Sequence, residues 1–340
     1  MSTDRYFRPI VQVDVARGEG AYVLAGGWGW FSHVEVLRRT QAPKVVPAAD
    51  IPAEVLSTLT APRATPAGLD MTRPKVMGIL NATPDSFSDG GVHAAAEDAV
   101  RAGQEMVAAG VDLLDIGGES TRPGADFIAP EVEAARVVPV IKGLRAAGVE
   151  APISIDTRKA FVAEAALAAG ATLVNDVSGF TFDARLASLC AAQKVPVCVM
   201  HALGDPATMQ KDPRYDDVLM DVYDFLAQQI EALVAQGIPK DQIIADPGIG
   251  FGKTLDHNLA LLARLSLFHS LGVPLLLGAS RKRFIGTISG AEPAENRMAG
   301  SVGVALAALN HGVQVLRVHD VAQTVQAIAL WRATTKGQVG

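Results

Sequence analysis

From residue 75 to the C-terminus, short runs of aliphatic and β-branched residues alternate with longer stretches whose apolar residues recur every three or four positions. The short runs predict β-strands, and the longer stretches, of which 217–236 is the clearest, predict amphipathic helices. The eight predicted strands are residues 76–80, 111–116, 153–155, 172–174, 195–199, 243–245, 275–277 and 313–318. Strands that alternate with helices form a parallel sheet, and eight such units in about 260 residues predict an α/β protein with a closed (β/α)8 barrel, the TIM barrel.

The first 73 residues lack this regular pattern. Trp28 and Trp30 lie in a glycine-rich stretch, residues 34–37 are a single short strand candidate, and prolines recur from Pro43 to Pro74. These features predict an N-terminal extension and linker over residues 1–73, followed by a barrel domain over 74–335. We expect the two tryptophans to pack on the barrel; a contact with a partner or a substrate is the alternative.

The composition narrows the class of protein. Hydrophobic residues make up 49% of the chain and charged residues 19%, which excludes a disordered chain. The net charge of −6 excludes a global basic surface for nucleic acid but leaves room for a local anion site. Cys190 and Cys198 lie in apolar runs and are expected to be buried thiols in a reducing compartment. The N-terminus lacks a signal-peptide pattern and no apolar stretch approaches the roughly 20 residues of a membrane span, so we expect a cytoplasmic protein without a membrane partner.

Polar residues follow every predicted strand. Because barrel enzymes place their active sites at the C-terminal ends of the strands, these residues are the candidates for chemistry. In strand order they are Asn81; Glu119 to Arg122; Asp156 to Arg158; Asn175 and Asp176; His201; Asp246; Ser280 to Arg283; and Arg317, His319 and Asp320. Any one of them could equally be a cap or a surface ion pair, but a complete ring of polar ends is not expected of a purely structural barrel.

Two kinds of side chain share this ring. Basic side chains suit a phosphate or pyrophosphate group, and carboxylate or amide oxygens suit the N–H donors of a flat heterocycle. The first kind comprises Arg122, Arg281, Lys282, Arg317 and His319, and the second comprises Asp156, Asn175 and Asp246. No Cys/His cluster has the spacing of a zinc site, so Mg²⁺ held partly by substrate oxygens and water is the expected metal.

Two other enzyme classes lack their signatures. No GxGxxG motif follows the first strand, and no GxSxG elbow precedes a helix, which argues against dinucleotide binding and against a serine hydrolase. Two loops rich in turn-forming residues, 81–91 and 117–125, are suited to closing over a site. Phe87, in the first loop, either anchors a ligand or packs its own loop down.

Eight motifs in order along residues 75–332 resemble those of bacterial dihydropteroate synthases, the pterin-binding transferases of folate biosynthesis. They are GILNATPDSFSDGG (78–91), DIGGESTRPG (115–124), IDT (155–157), NDVSG (175–179), MH (200–201), DPGIGFGK (246–253), GASRK (278–282) and RVHD (317–320). The resemblance implies a (β/α)8 barrel that joins 6-hydroxymethyl-7,8-dihydropterin diphosphate to 4-aminobenzoate and releases pyrophosphate. It also implies a homodimer and a target of sulfonamides.

The resemblance also implies a role for each candidate residue. The pterin would be held by Asp156, Asn175, Asp246 and Lys282 between Met200 and Phe251, and Asn81 would hold Mg²⁺ on the diphosphate. The diphosphate would be bound by Thr121, Arg122, Arg317 and His319, and the aminobenzoate by Phe87, Pro123, Arg281 and Lys282. The expected catalytic residues are Asp89, which would steady a pterin cation, and Lys282, Arg317 and His319.

Some questions stay open at this stage. Arg283 stands where many relatives have a small hydroxyl residue, and it either pairs with the aminobenzoate carboxylate or points to solvent. The apolar stretch 298–309 suits a dimer surface or simple burial. A pterin-dependent methyltransferase would need neither loop 81–91 nor the SRK strand end, and a catalytically silent paralogue would bind pterin without turnover.

Overall fold

The computed structural model describes residues 5–82, 91–120, 124–205 and 207–338, with only the backbone of 91–94. Residues 6–60 form a small subdomain with its own apolar core, which includes Phe7, Phe31 and Leu59. One antiparallel sheet has the strand order β1-β4-β5 and a second pairs β2 with β3. The elements are β1 Tyr6–Pro9, β2 Tyr22–Val23, β3 Trp30–Phe31, β4 His33–Arg38, β5 Gln41–Pro47 and helix α1 Ala53–Thr60.

The order in this region differs from the sequence prediction of a linker. Most of strand β5 and all of helix α1 lie within the proline-dotted stretch from Pro43 to Pro74. Pro43 and Pro47 are tolerated because β5 is an edge strand of its sheet, where a missing N–H leaves no ladder bond broken. Pro52 directly precedes α1, so it does not interrupt the helix.

Eight parallel strands form the barrel. Their order is β11-β10-β9-β8-β7-β6-β13-β12, and a parallel bridge between Ala245 and Leu275 closes the cylinder. The strands are β6 Lys75–Asn81, β7 Leu113–Gly117, β8 Ile153–Asp156, β9 Leu173–Asp176, β10 Val197–Met200, β11 Ile243–Asp246, β12 Leu276–Leu277 and β13 Val315–Val318. Each predicted strand is present with its ends shifted by at most two residues, and the predicted (β/α)8 barrel is confirmed.

Helices surround the barrel. They are α2 Gly91–Ala108, α3 Pro130–Ala146, α4 Ala160–Ala169, α5 Arg185–Gln193, α6 Val218–Ala235, α7 Leu255–Leu262, α8 Arg283–Ser289, α9 Met298–Asn310 and α10 Val321–Lys336. A 3₁₀ segment, Leu265–Leu271, follows α7 and continues the outer helical layer. Within the part of the chain that the structure covers, no helix combines the length and the apolar character needed to cross a bilayer.

The inner face of the barrel has two layers of opposite character. Alternate residues of a strand point to the same side, so positions two apart share the interior. The lower layer, toward the N-terminal ends of the strands, is apolar and is covered by Leu69 and Met71 of the segment before β6. Its apolar residues are Met77, Leu113, Leu173, Cys198, Ile244, Leu276 and Val315, and β8 contributes the buried Ser154. Two residues further along four of these strands stand Asp115, Asn175, Asp246 and Arg317, so the strand period alone brings these polar groups into the upper layer.

The extension is tied to the barrel by polar and aromatic contacts. Trp28 donates from Nε1 to the carbonyl oxygen of Leu309 at 2.8 Å, and its ring meets Trp331 edge to face at 6.3 Å. This confirms the predicted packing for Trp28, whereas Trp30 bonds to the carbonyl oxygen of Asp14 within the extension. Buried Arg63 donates to the carbonyl oxygen of His269 at 2.8 Å. Both cysteines are buried free thiols, as predicted.

Candidate active site

A charged cluster fills one side of the upper layer. The Arg317 guanidinium bridges two carboxylates, with Nε 2.6 Å from Asp115 Oδ2 and Nη2 2.6 Å from Asp156 Oδ2. Asn175 donates from Nδ2 to the same Asp115 oxygen at 3.3 Å. Asp156 and Asn175 are register partners on β8 and β9. Strands that are distant in sequence therefore bring two acids, an amide and a guanidinium into one connected group.

Asp246 and Lys282 form the other side. Asp246 Oδ1 accepts from the backbone N–H of Gly248 at 2.7 Å, which fixes the carboxylate at the end of β11. Lys282 contacts the carbonyl oxygen of Ile249 through Nζ, and the same atom lies 4.4 Å from the centre of the Phe251 ring. The structure thus places Phe251 beside Lys282.

Gly278 shows that the two sides meet. A Cβ atom at this glycine would lie 3.7 Å from Asp246 Oδ2 and 3.8 Å from Arg317 Cδ, so both side chains border the same small space. Met200 is buried and is the register partner of Asp246. The structure therefore brings together the residues that the family resemblance assigns to the pterin: Asp156, Asn175, Met200, Asp246, Phe251 and Lys282.

Burial dominates the electrostatics of this interior. It raises the pKa of Asp156 in spite of Arg317, and the neighbouring Asp115 adds to the rise. Burial also raises the pKa of Asp246, against the charge of Lys282. It lowers the pKa of Lys282 to about 7, with Asp246 opposing. For Arg317 burial disfavours the charge, but the carboxylates of Asp115 and Asp156 outweigh it and raise the pKa, so the guanidinium stays charged.

Two carboxylate oxygens in the cluster have unused acceptor capacity. Asp115 Oδ1 and Asp156 Oδ1 are buried, and each lacks a hydrogen-bond partner among the residues that the structure describes. Such an atom is costly unless a bound group supplies the missing donor. The pair is therefore suited to accept N–H groups from a ligand that enters the barrel from the upper end.

At the barrel rim, the observed contacts of the basic residues are with protein groups, whereas the sequence analysis predicted contacts with ligands. Arg281 donates from Nε to Asp320 Oδ2 at 3.0 Å, and Arg317 turns inward to its two aspartates, because buried or half-buried cations take the nearest carboxylates. His319 Nδ1 lies 3.0 Å from Ser280 Oγ. Contacts of Arg281 with aminobenzoate and of Arg317 and His319 with diphosphate stay predictions. Arg283 is exposed at the start of α8.

Asn81 ends β6 beside Gly117 of β7 and is half-buried. The five other predicted residues, Phe87, Asp89, Thr121, Arg122 and Pro123, lie outside the described residues, and their roles likewise stay predictions.

The sequence reasoning missed two buried groups. Asp115 is central to the cluster, and the signal that could have identified it is its position two residues after Leu113 on one strand face. Lys253 is buried, and its Nζ lies 2.8 Å from His201 Nδ1. Lys253 ends the motif DPGIGFGK (246–253), but no spacing in the sequence indicates that this lysine turns inward.

Comparisons with known proteins agree on one family. The model of the family described as pterin binding enzyme matches residues 77–319. The dihydropteroate synthase of Escherichia coli (strain K12) is 45% identical over 266 residues, which cover 78% of this chain and 93% of that protein.

Solved structures give the same result. The Xanthomonas albilineans dihydropteroate synthase with 4-aminobenzoic acid is 48% identical with a TM-score of 0.75, covering 80% of this chain and 98% of that one. The X. albilineans enzyme in complex with 7,8-dihydropteroate is 45% identical with a TM-score of 0.72 and the same coverage.

Proposed function

This chain belongs to the pterin binding enzyme family, and from that premise we infer that it is a dihydropteroate synthase. It is a transferase of folate biosynthesis that joins 6-hydroxymethyl-7,8-dihydropterin diphosphate to 4-aminobenzoate, giving 7,8-dihydropteroate and pyrophosphate. The observation that carries this function is the upper layer of the barrel, where Asp115, Asp156, Asn175, Asp246 and Lys282 surround one space.

Pterin binding follows from the donors and acceptors of that layer. A pterin ring presents amino and ring N–H donors on one edge and a carbonyl acceptor beside them. Acceptors are supplied by Asp246 and by the Oδ1 atoms of Asp115 and Asp156, which have no partner among the residues that the structure describes. The Lys282 ammonium supplies a donor. Met200 and Phe251 provide apolar walls. We assign these residues to the pterin.

The bond that breaks joins the pterin methylene carbon to a diphosphate oxygen. Negative charge grows on the departing diphosphate, and cationic side chains at the barrel mouth stabilise it. We assign this role to Arg122, Arg317 and His319, with Thr121 as a further contact. Arg317 would exchange at least one of its aspartate contacts for the diphosphate, and the pterin N–H donors would take over the released carboxylate oxygen.

The acceptor is an arylamine that is neutral at pH 7, so the reaction needs no strong general base. Its nitrogen forms the new bond to the methylene carbon and gives up a proton afterwards. An electron-rich dihydropterin stabilises the cation that the diphosphate leaves behind, and we assign Asp89 to steady that cation. Phe87, Pro123 and Arg281 would line the aminobenzoate site, and closed loops would keep out water that would convert the cation to an alcohol.

Mg²⁺ fits the donor set at the mouth. Across the part of the chain that the structure describes, His, Cys, Asp and Glu side chains form no group of three that could hold a metal. We propose that a cation at the mouth would take its ligands from the half-buried Asn81 and from diphosphate oxygens, which is the usual way proteins bind Mg²⁺. Asn81 would contribute its side-chain amide oxygen. When bound, Mg²⁺ neutralises charge on the leaving group.

We also propose a cytoplasmic homodimer. The buried thiols Cys190 and Cys198 suit a reducing compartment. Ile288 of α8 and Met298 of α9 are exposed apolar residues on neighbouring helices, which a second copy would cover. Analytical ultracentrifugation of the full chain tests the dimer, and a monomer at micromolar concentration contradicts it.

Pyrophosphate release tests the function. The purified full chain is given pterin diphosphate, 4-aminobenzoate and Mg²⁺, and pyrophosphate is measured with each component omitted in turn. We expect release only when both substrates are present, and loss of release with EDTA that excess Mg²⁺ restores. No release from the complete mixture contradicts the enzyme, and pterin binding without release identifies a silent paralogue.

A further inference from the structure

The loop that follows β11 is pressed against the end of β10. Residues 247–253 turn through Gly248, Gly250 and Gly252, whose φ angles are +68°, +82° and +62°. A Cβ atom at Gly248 would lie 1.8 Å from the carbonyl oxygen of His201, so only glycine fits there. The loop therefore has little freedom on the side that faces β10.

Lys253 forms hydrogen bonds inside this loop that connect its two ends. The residue is 3% exposed, and its Nζ lies 2.9 Å from the carbonyl oxygen of Gly248 and 3.1 Å from that of Phe251. The same atom lies 2.8 Å from Nδ1 of His201 at the end of β10. One buried amine thus joins the start of the loop, its end and the neighbouring strand.

The partner histidine is suited to receive this contact. Burial and the nearby Lys253 lower the pKa of His201 to about 2, so the imidazole is neutral and can accept a hydrogen bond at Nδ1. Burial also lowers the pKa of Lys253 well below its usual value. The amine keeps two N–H donors for the two carbonyl oxygens in either protonation state. Its third contact is donated to His201 Nδ1 when the amine is charged, and is accepted from an Nδ1–H tautomer of His201 when the amine is neutral.

The loop presents two groups to Lys282. The Phe251 ring lies 4.4 Å from Lys282 Nζ, and the carbonyl oxygen of Ile249 contacts the same atom. Asn258 of α7 holds the loop from outside, since its Oδ1 accepts from Gly250 N–H at 2.7 Å. The position of Lys282 beside Asp246 therefore depends on a loop whose internal brace is Lys253.

We propose that Lys253 is a positioning residue for the pterin half of the active site, which it serves by fixing the 247–252 loop that carries Phe251 and contacts Lys282. The proposal rests on the proposed function and deepens it. It gives a buried lysine that touches no substrate a part in orienting the pterin. Because Lys282 is also assigned to aminobenzoate, we expect the effect on that substrate to be the much smaller of the two.

The test compares Lys253→Met with Arg63→Met. Arg63 is also a buried cation that donates to backbone carbonyls, those of Thr58, Ala61 and His269, but it lies in the N-terminal extension. Binding of 6-hydroxymethyl-7,8-dihydropterin, without its diphosphate, is measured by calorimetry, and the KM for 4-aminobenzoate is measured by turnover. We expect Lys253→Met to raise the pterin Kd about tenfold with little change in the aminobenzoate KM. Arg63→Met should lower thermal stability and leave the pterin Kd unchanged.

The outcomes separate this proposal from the function on which it rests. Wild-type protein that does not bind the pterin contradicts the proposed function. Wild-type binding with an equal Kd for Lys253→Met overturns the positioning role, as does a parallel rise in both substrate constants. If the Met variant does not fold, Lys253→Gln, which keeps an N–H₂ donor, is measured in the same way. We then expect a smaller rise of about threefold, and an unchanged Kd again overturns the role.

Discussion

The two inner layers of the barrel belong to the same strands and face the same interior, yet their residues differ in chemical character. The lower layer is apolar on seven strands, with Ser154 on the eighth, and is covered by Leu69 and Met71. The upper layer, two residues further along, holds Asp115, Asp156 and Arg317 with buried oxygens that have no partner among the described residues. We infer from this difference that stability and binding are separated along the strand axis, so each layer should respond to mutation in its own way.

The largest effect is expected from Arg317→Met in the upper layer. The variant leaves the carboxylates of Asp115 and Asp156 buried without their cation, which should lower the free energy of unfolding by about 3–5 kcal/mol and abolish turnover. Urea denaturation measures the loss. Because burial raises the pKa of Asp156, the folded variant retains a proton on this carboxyl that the unfolded chain releases, so its stability should fall further as the pH rises from 5 to 8. A loss below about 1 kcal/mol at pH 8 would show that the cluster does not function as a charge-compensated unit.

Leu113→Ala tests the lower layer. Removing this fully buried side chain should lower the free energy of unfolding by about 3 kcal/mol through lost burial and a residual cavity. Both KM values should stay at their wild-type levels below the melting temperature, because Asp115 remains on the same strand face. A several-fold change in the pterin KM with intact stability would mean that the layers are not separate.

A smaller effect follows from the titration of Lys282. Burial lowers the pKa of this lysine to about 7, so its ammonium is present below that pH and is lost above it. Relative to Lys282→Arg, whose guanidinium stays charged, the wild-type pterin Kd should rise about tenfold for each pH unit above 7. Taking the ratio of the two proteins removes the titration of the pterin itself. A constant ratio between pH 6 and 9 would contradict this role.

The sequence predicted the barrel and, apart from Asp115, the polar residues of the upper layer for a physical reason. Strand periodicity is a local property, and it placed Asp156, Asn175 and Asp246 at strand ends that a closed barrel must bring together. The same periodicity also applies to Asp115, which two-residue spacing from Leu113 could have identified.

Long-range pairing could not be predicted in the same way. Arg317 contacts Asp115 across 202 positions of sequence, and its choice of partner depends on barrel register and burial. The order in the extension was missed because Pro43 and Pro47 are typical of a linker unless the strand is known to lie at a sheet edge.

Calorimetric titration of 6-hydroxymethyl-7,8-dihydropterin into wild type, Asp246→Ala and Asp112→Ala tests most directly whether the upper layer binds the pterin. Asp112 lies at the opposite end of the barrel, where its carboxylate pairs with Lys75. We predict that Asp246→Ala weakens binding at least about a hundredfold, because a buried N–H edge of the pterin loses its acceptor, and that Asp112→Ala binds like wild type. Equal affinity for Asp246→Ala and wild type would contradict the assignment of the upper layer to the pterin.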